Sequence, residues 1–444
     1  MIRVKASVEK FQTFLGEHPK AKTVIKGFGY LFSERMLKFF IGFFVHAMVA
    51  RHLGPEHFGK LSYIIKTVNI FYTFSLFGVD EIIMRELMGT TYERNDILKT
   101  VFRIRIIMAL VGFLFLGAFL LLAQEGDSKF TLLTYIYGLN VFLQAFNLFE
   151  LSFQAKLSFK PLFWANNISY IFSSGLRVLG VFLKSTVSFF LSTYIIGEII
   201  LKLLVQRQMG FSFLQGKYNK EFAEQLIKAS YPYFLSAFVV LLDQRLSFVF
   251  IERFRTPGEL GNYSVAVTLV DLWLFLPTAV TASVFPTIIT AFNGHKEQYS
   301  IRIQYLADIL VWLGIAFFIG VFLSADLVIH LLYGSRYEEA PEALWLYALT
   351  TVPVFFNLAR LKWLSLEKNL NDWLWFSAFC LALNFVGHYY LVPNYGIRGA
   401  ILSFLLSQFI GNFVMSVFSK NIRHSMLIFL KTLIFPLRLV KVLR

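Results

Sequence analysis

The chain has 444 residues, of which 57% are hydrophobic and only 16% charged, with 52 phenylalanines. Soluble proteins carry about a quarter charged residues. No soluble core of this size could bury so much apolar surface, so the solvent for most of it is lipid. The formal charge of +15 would otherwise suggest nucleic acid as a partner, but the Lys and Arg residues sit at the ends of apolar segments. That placement is a topology signal, and no nucleic-acid partner is expected. One cysteine, Cys380, leaves no internal disulfide, and the absence of CxxC or His/Cys clusters gives no expectation of a metal or cofactor.

The first segment, residues 1–27, is basic and weakly amphipathic and lacks the apolar core and cleavage site of a signal peptide. It reads as a cytoplasmic arm at the membrane surface. A spanning helix needs about 20 mostly apolar residues. Segments of that kind lie near 28–50, 60–84, 102–123, 130–153, 161–183 and 186–206, and again near 230–252, 262–290, 303–330, 342–362, 371–392 and 397–419. These are spans 1 to 12. The expectation is an all-α polytopic membrane protein with a six-helix bundle over 28–210, a cytoplasmic linker over 211–229 and a second bundle over 230–420. Residues 421–444 alternate apolar runs with basic residues and read as an amphipathic cytoplasmic tail attracted to anionic lipid.

With the N-terminus in the cytoplasm, 29 Lys and Arg residues fall on that side and 8 on the other, with five inside spans. The positive-inside rule therefore places both termini in the cytoplasm. The connector after span 1, "RHLGPEHFGKLSYI", returns after span 7 as "RFRTPGELGNYSVA". Arg51, Pro55, Gly59 and Ser62 match Arg253, Pro257, Gly261 and Ser264 at one offset of 202 residues. The repeat unit is six spans, an even number, so the second copy enters with the orientation of the first. Such a parallel repeat has its pseudo-twofold axis along the membrane normal.

"ARHLGPEHFG" and "FGVDEIIMREL", then "ERFRTPGELGNYSVA", "LPTAVTASVFPTI" and "VPNYGIRGAILSFLLS", together resemble the polysaccharide transporter family. These are the Wzx-type O-antigen flippases of the multidrug/oligosaccharidyl-lipid/polysaccharide (MOP) exporter superfamily. The resemblance runs from Leu31 to Ser419. It implies a V-shaped pair of six-helix bundles around a cavity that opens alternately to each side of a bacterial inner membrane. The implied cargo is an oligosaccharide on undecaprenyl pyrophosphate, with membrane lipids, a polysaccharide polymerase and a chain-length regulator as partners. A multidrug or metabolite exporter and a peptidoglycan lipid II flippase are the alternatives. A membrane enzyme would need a sizeable external loop or a His/Asp catalytic group, and neither is visible, so no enzymatic activity is expected.

Flipping such a molecule requires a polar route, because a bare sugar head group is costly to drag through hydrocarbon, and positive charge to receive the pyrophosphate. Ionisable residues within spans are the candidates. Arg245, mid-span 7, leads as a ligand for an anionic head group. Arg35 and Lys38 share one face of span 1, although Glu34 is spaced to pair locally with Lys38. Lys66 in span 2 has no acid within helical reach, and Arg177 near the end of span 5 has length enough to snorkel to the interface. Asp243, Glu198 and Asp271 are candidates for a coupling ion.

Overall fold

The computed structural model describes residues 19–89, 92–123, 128–210, 215–294 and 296–434. The arm before residue 19 and the tail beyond 434 lie outside the described residues, which contain helices and no strand. Nine of the helices are long and apolar enough to cross a membrane. Two of these are double. Pro19–Leu76 carries spans 1 and 2 across a break at Gly54, and Leu370–Phe418 carries spans 11 and 12 across a break at Gly396. Both glycines have positive φ, 72° and 53°, a conformation that costs a side-chain-bearing residue energy. Phe159–Phe182, span 5, is not among the nine. Its buried residues include Asn166, Asn167, Ser169, Ser173, Ser174 and Arg177, and this polarity lowers its hydropathy. Counting it and the two doubled helices gives the twelve spans expected.

The remaining spans follow in order as Arg94–Ala123, the interrupted stretch Ser128–Gly138 to Asn147–Ala155, Val187–Met209 and Lys220–Phe254. Span 8 is Pro257–Trp273 continued by Phe275–Gly294, span 9 is Lys296–Leu332, and span 10 is Ala340–Leu349 continued by Thr351–Leu366. The short amphipathic helix Lys420–Leu433 closes the described chain; Trp312 Nε1 donates to the carbonyl of Thr432 at 2.9 Å and ties it to span 9. One further apolar core, around Phe149 and Leu162, lies mainly in the first half and is completed by Phe222 and Leu226 from the start of span 7, and another, around Leu306, Phe355 and Phe376, lies in the second half. The largest apolar cluster is shared between halves, with Phe58 and Leu61 among its members beside Leu260, Val265 and Ile401.

The twin connectors meet within that shared cluster. A Cβ added at Gly59 would collide with the carbonyl oxygen of Pro257, and one at Gly261 with the carbonyl oxygen of Pro55. The contact is reciprocal: each half offers its glycine to the proline carbonyl of the other. The repeat in the sequence is thus the self-complementary seam between the halves, here called the connector face. Nearby, Tyr337 donates to the carbonyl of Ala50 at 2.6 Å. On the opposite face, Gly78 lies against the backbone of Phe234, where the halves also touch.

Backbone-to-backbone packing this close leaves no room for a methyl group, and overpacking costs about 1–3 kcal/mol. Gly59→Ala and Gly261→Ala are each expected to lower thermal stability in detergent, and the double variant should lose less than the sum, since one seam is broken twice. Full additivity would mean the two glycines do not share a contact.

Candidate functional site

Span 5 turns its polar face into a cavity of about 480 Å³. Its walls are mostly the first half: Lys38 and His46 of span 1, Asn69 and Tyr72 of span 2, Tyr137 of span 4, and Tyr194 and Glu198 of span 6. Span 5 adds Asn166, Ser169, Tyr170, Ser173 and Arg177, and only Thr268 and Leu272 come from the second half. The resemblance implied a cavity between the halves; this one lies off-centre, inside the first. Small residues let spans 5 and 6 approach, with the Ser169 hydroxyl on the Gly197 carbonyl at 2.5 Å. Amides, hydroxyls and four tyrosine rings make this lining suited to a hydroxyl-rich ligand, since aromatic faces and hydrogen-bonding groups both pack against sugar rings.

Arg177 is buried, only 7% exposed, and does not snorkel as its place near the span end had suggested. Its guanidinium lies over Tyr194 at 4.0 Å and Tyr170 at 6.0 Å. Nε donates to Thr193 Oγ1 and Nη2 to Ser173 Oγ, both at 3.4 Å. Its hydrogen bonds are to hydroxyls, and none of the ion pairs among the described residues includes it. A cation held by hydroxyls and rings keeps its charge available to an incoming anion. Lys38 is the second cation in the wall, and it is held by Glu34 at 2.7 Å and Asn166 Oδ1 at 2.8 Å, the local pair that its spacing allowed. Arg35, expected on the same face, is instead exposed and does not line the cavity.

Arg245 and Lys66 are placed differently from the expectation. Neither lines the cavity. Both donate to Asp271 Oδ2 at 3.2 Å, so one carboxylate of span 8 is shared by cations of spans 7 and 2. Arg245 and Asp243 are two residues apart on one helix and so point to different faces; the acid that Arg245 meets comes from span 8. This triad joins the two halves one turn from the cavity wall at Asn69 and Thr268.

Asp243 is buried in the second half, where Asn384 Nδ2 donates to Oδ1 at 2.7 Å and Gln408 Nε2 to Oδ2 at 3.2 Å. The network continues from Gln408 to Asn357 at 3.0 Å and from Asn357 to Arg360 Nη1 at 3.1 Å, and Arg360 also reaches Asn412. Glu198 lines the cavity and lies 3.7 Å from Lys202, which is held more closely by Glu150 at 2.8 Å.

Arg105, Lys202 and Arg360, which lie at the ends of spans 3, 6 and 10 and count with the adjoining connectors rather than among the five cations inside spans, are buried, and Arg105 is bound to Asp80. For Lys202 a signal was present, an acid four residues earlier at Glu198. Moving all three inside leaves the excess of positive charge on one side in place.

No curated protein sequence matches this chain. Among solved structures it is similar to the lipid II flippase MurJ in an inward closed conformation, with 14% identity, 94% of this chain and 93% of that chain covered, and a TM-score of 0.65. An inward-facing multidrug resistance MATE family transporter of the MOP superfamily matches at 12% identity, covering 92% and 96%, with a TM-score of 0.60. A MATE transporter of Vibrio cholerae matches at 12%, covering 91% and 97%, also at 0.60. At these identities the likeness is one of fold: two six-helix bundles in the arrangement of MOP-superfamily transporters. Residues 48–342, about two thirds of the chain, match the family described as polysaccharide biosynthesis protein, and to that family this multi-pass membrane protein belongs.

Proposed function

We propose that the protein is a flippase that carries an oligosaccharide linked to undecaprenyl pyrophosphate from the cytoplasmic to the outer leaflet of a bacterial inner membrane. O-antigen or another surface-polysaccharide repeat unit is the cargo. The observation that carries this reading is the membrane-embedded cavity of amides, hydroxyls and tyrosines around Arg177, a guanidinium with no carboxylate partner among the described residues. A pyrophosphate offers the paired anionic oxygens that a guanidinium fork accepts. Asp243 is the proposed site of a coupling ion, because amides rather than cations hold its carboxylate, whereas Asp271 and Glu198 already face cations.

Proteoliposomes carrying a fluorescent undecaprenyl-pyrophosphate oligosaccharide test the function. Transfer between leaflets, read by a glycosidase added outside, should depend on the protein. Efflux of cationic drugs without glycan transfer would replace this reading with that of an exporter.

Both termini and the connectors around Arg94 and Tyr218 are proposed to be cytoplasmic, and those around Glu56, Gly258 and Ser335 external. In a Cys380→Ser background, Gly258→Cys should react with an impermeant thiol reagent in intact cells and Tyr218→Cys should not. The opposite pattern inverts the topology.

A further inference from the structure

Three charged side chains line the polar cavity, Lys38, Arg177 and Glu198, and they do not cancel one another. Lys38 is neutralised from outside the lining by Glu34 at 2.7 Å. Arg177 has hydroxyls and rings for partners. Glu198 forms its ion pair with Lys202 at 3.7 Å, beyond the length of a hydrogen bond. Lys202 is only 6% exposed and is engaged elsewhere, by Glu150 at 2.8 Å and by Asn147 Oδ1. The Glu198 side chain, by contrast, is 37% exposed. A carboxylate can accept at both oxygens, so Glu198 meets whatever fills the cavity with acceptor capacity to spare.

The packing of spans 5 and 6 sets how far this acid stands from the free cation. The guanidinium of Arg177 meets Thr193, and Glu198 follows Thr193 by five residues, a rise of about 7.5 Å along the helix. None of the ion pairs among the described residues joins the two. An anion seated on Arg177 therefore places the group attached to it beside Glu198. In a poorly hydrated site like charges repel strongly, whereas a hydroxyl or an ammonium donates to a carboxylate in a charge-assisted hydrogen bond.

We propose that Glu198 sets the class of glycan the cavity accepts: the sugar adjoining the diphosphate is neutral or amino-substituted, and a sugar bearing a carboxylate there is turned away. This rests on the flippase reading above, in which the diphosphate occupies Arg177. With that guanidinium engaged and Lys38 already paired with Glu34, no cation in the lining is left to receive a second anion. The first sugar then meets Glu198. A purely structural role as the partner of Lys202 is already filled by Glu150 and Asn147.

Three water-soluble hexosyl diphosphates that differ only at C6, as hydroxymethyl, carboxylate and aminomethyl, test this on the full chain in phosphatidylcholine nanodiscs. The unsubstituted protein should bind the carboxylate probe at least about tenfold more weakly than the hydroxymethyl probe, and the aminomethyl probe more tightly than either. Glu198→Gln keeps an acceptor and loses the charge, and should bring the three affinities within about threefold of one another. Glu198→Asp keeps the charge and should preserve their order. Lys202 retains Glu150 and Asn147 in both variants, so neither strands a buried cation. Equal binding of the three probes by the unsubstituted protein overturns the proposal, and that result needs no variant to fold. A Glu198→Gln protein that shifts all three affinities by one common factor also overturns it, because that is the mark of a packing role. An unsubstituted protein that binds none of the three overturns the flippase reading as well.

Discussion

Arg177→Ala is expected to reduce glycan delivery to the outer leaflet by roughly ten- to a hundredfold at equal membrane abundance, in cells lacking their own flippase. Hydrogen bonds to charged groups contribute about 1.5–3 kcal/mol, and each 1.4 kcal/mol is tenfold in affinity. Arg177 is bound by the hydroxyls of Thr193 and Ser173 and by tyrosine rings, so its removal strands no carboxylate. Thermal stability should therefore fall far less than transport. Arg177→Lys keeps the charge and loses the planar fork, and should retain part of the activity. Normal transport by Arg177→Ala would remove this residue from the binding site.

Asp271→Asn is expected to act mainly on stability. Lys66 and Arg245 share that one carboxylate and are only 16% and 15% exposed. Neutralising it leaves two cations facing each other in a poorly solvated site, and breaking buried pairs in this way costs about 3–5 kcal/mol. The loss should appear as a lower unfolding temperature and lower membrane abundance. Lys66→Met in the same chain should restore part of it, because one cation then remains where two had clashed. An Asp271→Asn protein that folds like the parent would show that water, not Asp271, satisfies the pair.

The spans, their number and the repeat were legible because hydropathy over about 20 residues and a motif at fixed offset are properties of the chain read in one dimension. Which charges meet was not legible. Lys66 and Asp271 are 205 residues apart, and helical periodicity assigns a residue to a face without naming the helix that covers it. Residues near span ends were the least readable. Arg105 looked like a connector charge, yet the short helix Asp80–Met88 folds back so that Asp80 binds it. Arg177 looked free to reach the interface, but Tyr170 and Tyr194 hold it inside. Arg360 is buried between Phe356 and Phe376, with amides from spans 10 and 12 as its partners.

The exchange between Gly59 and Pro257 on one side and Gly261 and Pro55 on the other has the form of an isologous contact, in which the same patch appears on both partners. Two identical six-helix chains can make that contact as readily as two halves of one chain. The seam therefore describes a homodimer as well as it describes this fused protein, and a gene duplication needs only to join the copies end to end. Fusion then frees each copy to diverge, as here, where the polar cavity belongs to the first half and the Asp243 network to the second. The shared seam is where divergence is most constrained, because a side chain added to one glycine must be accommodated by the backbone of the other copy.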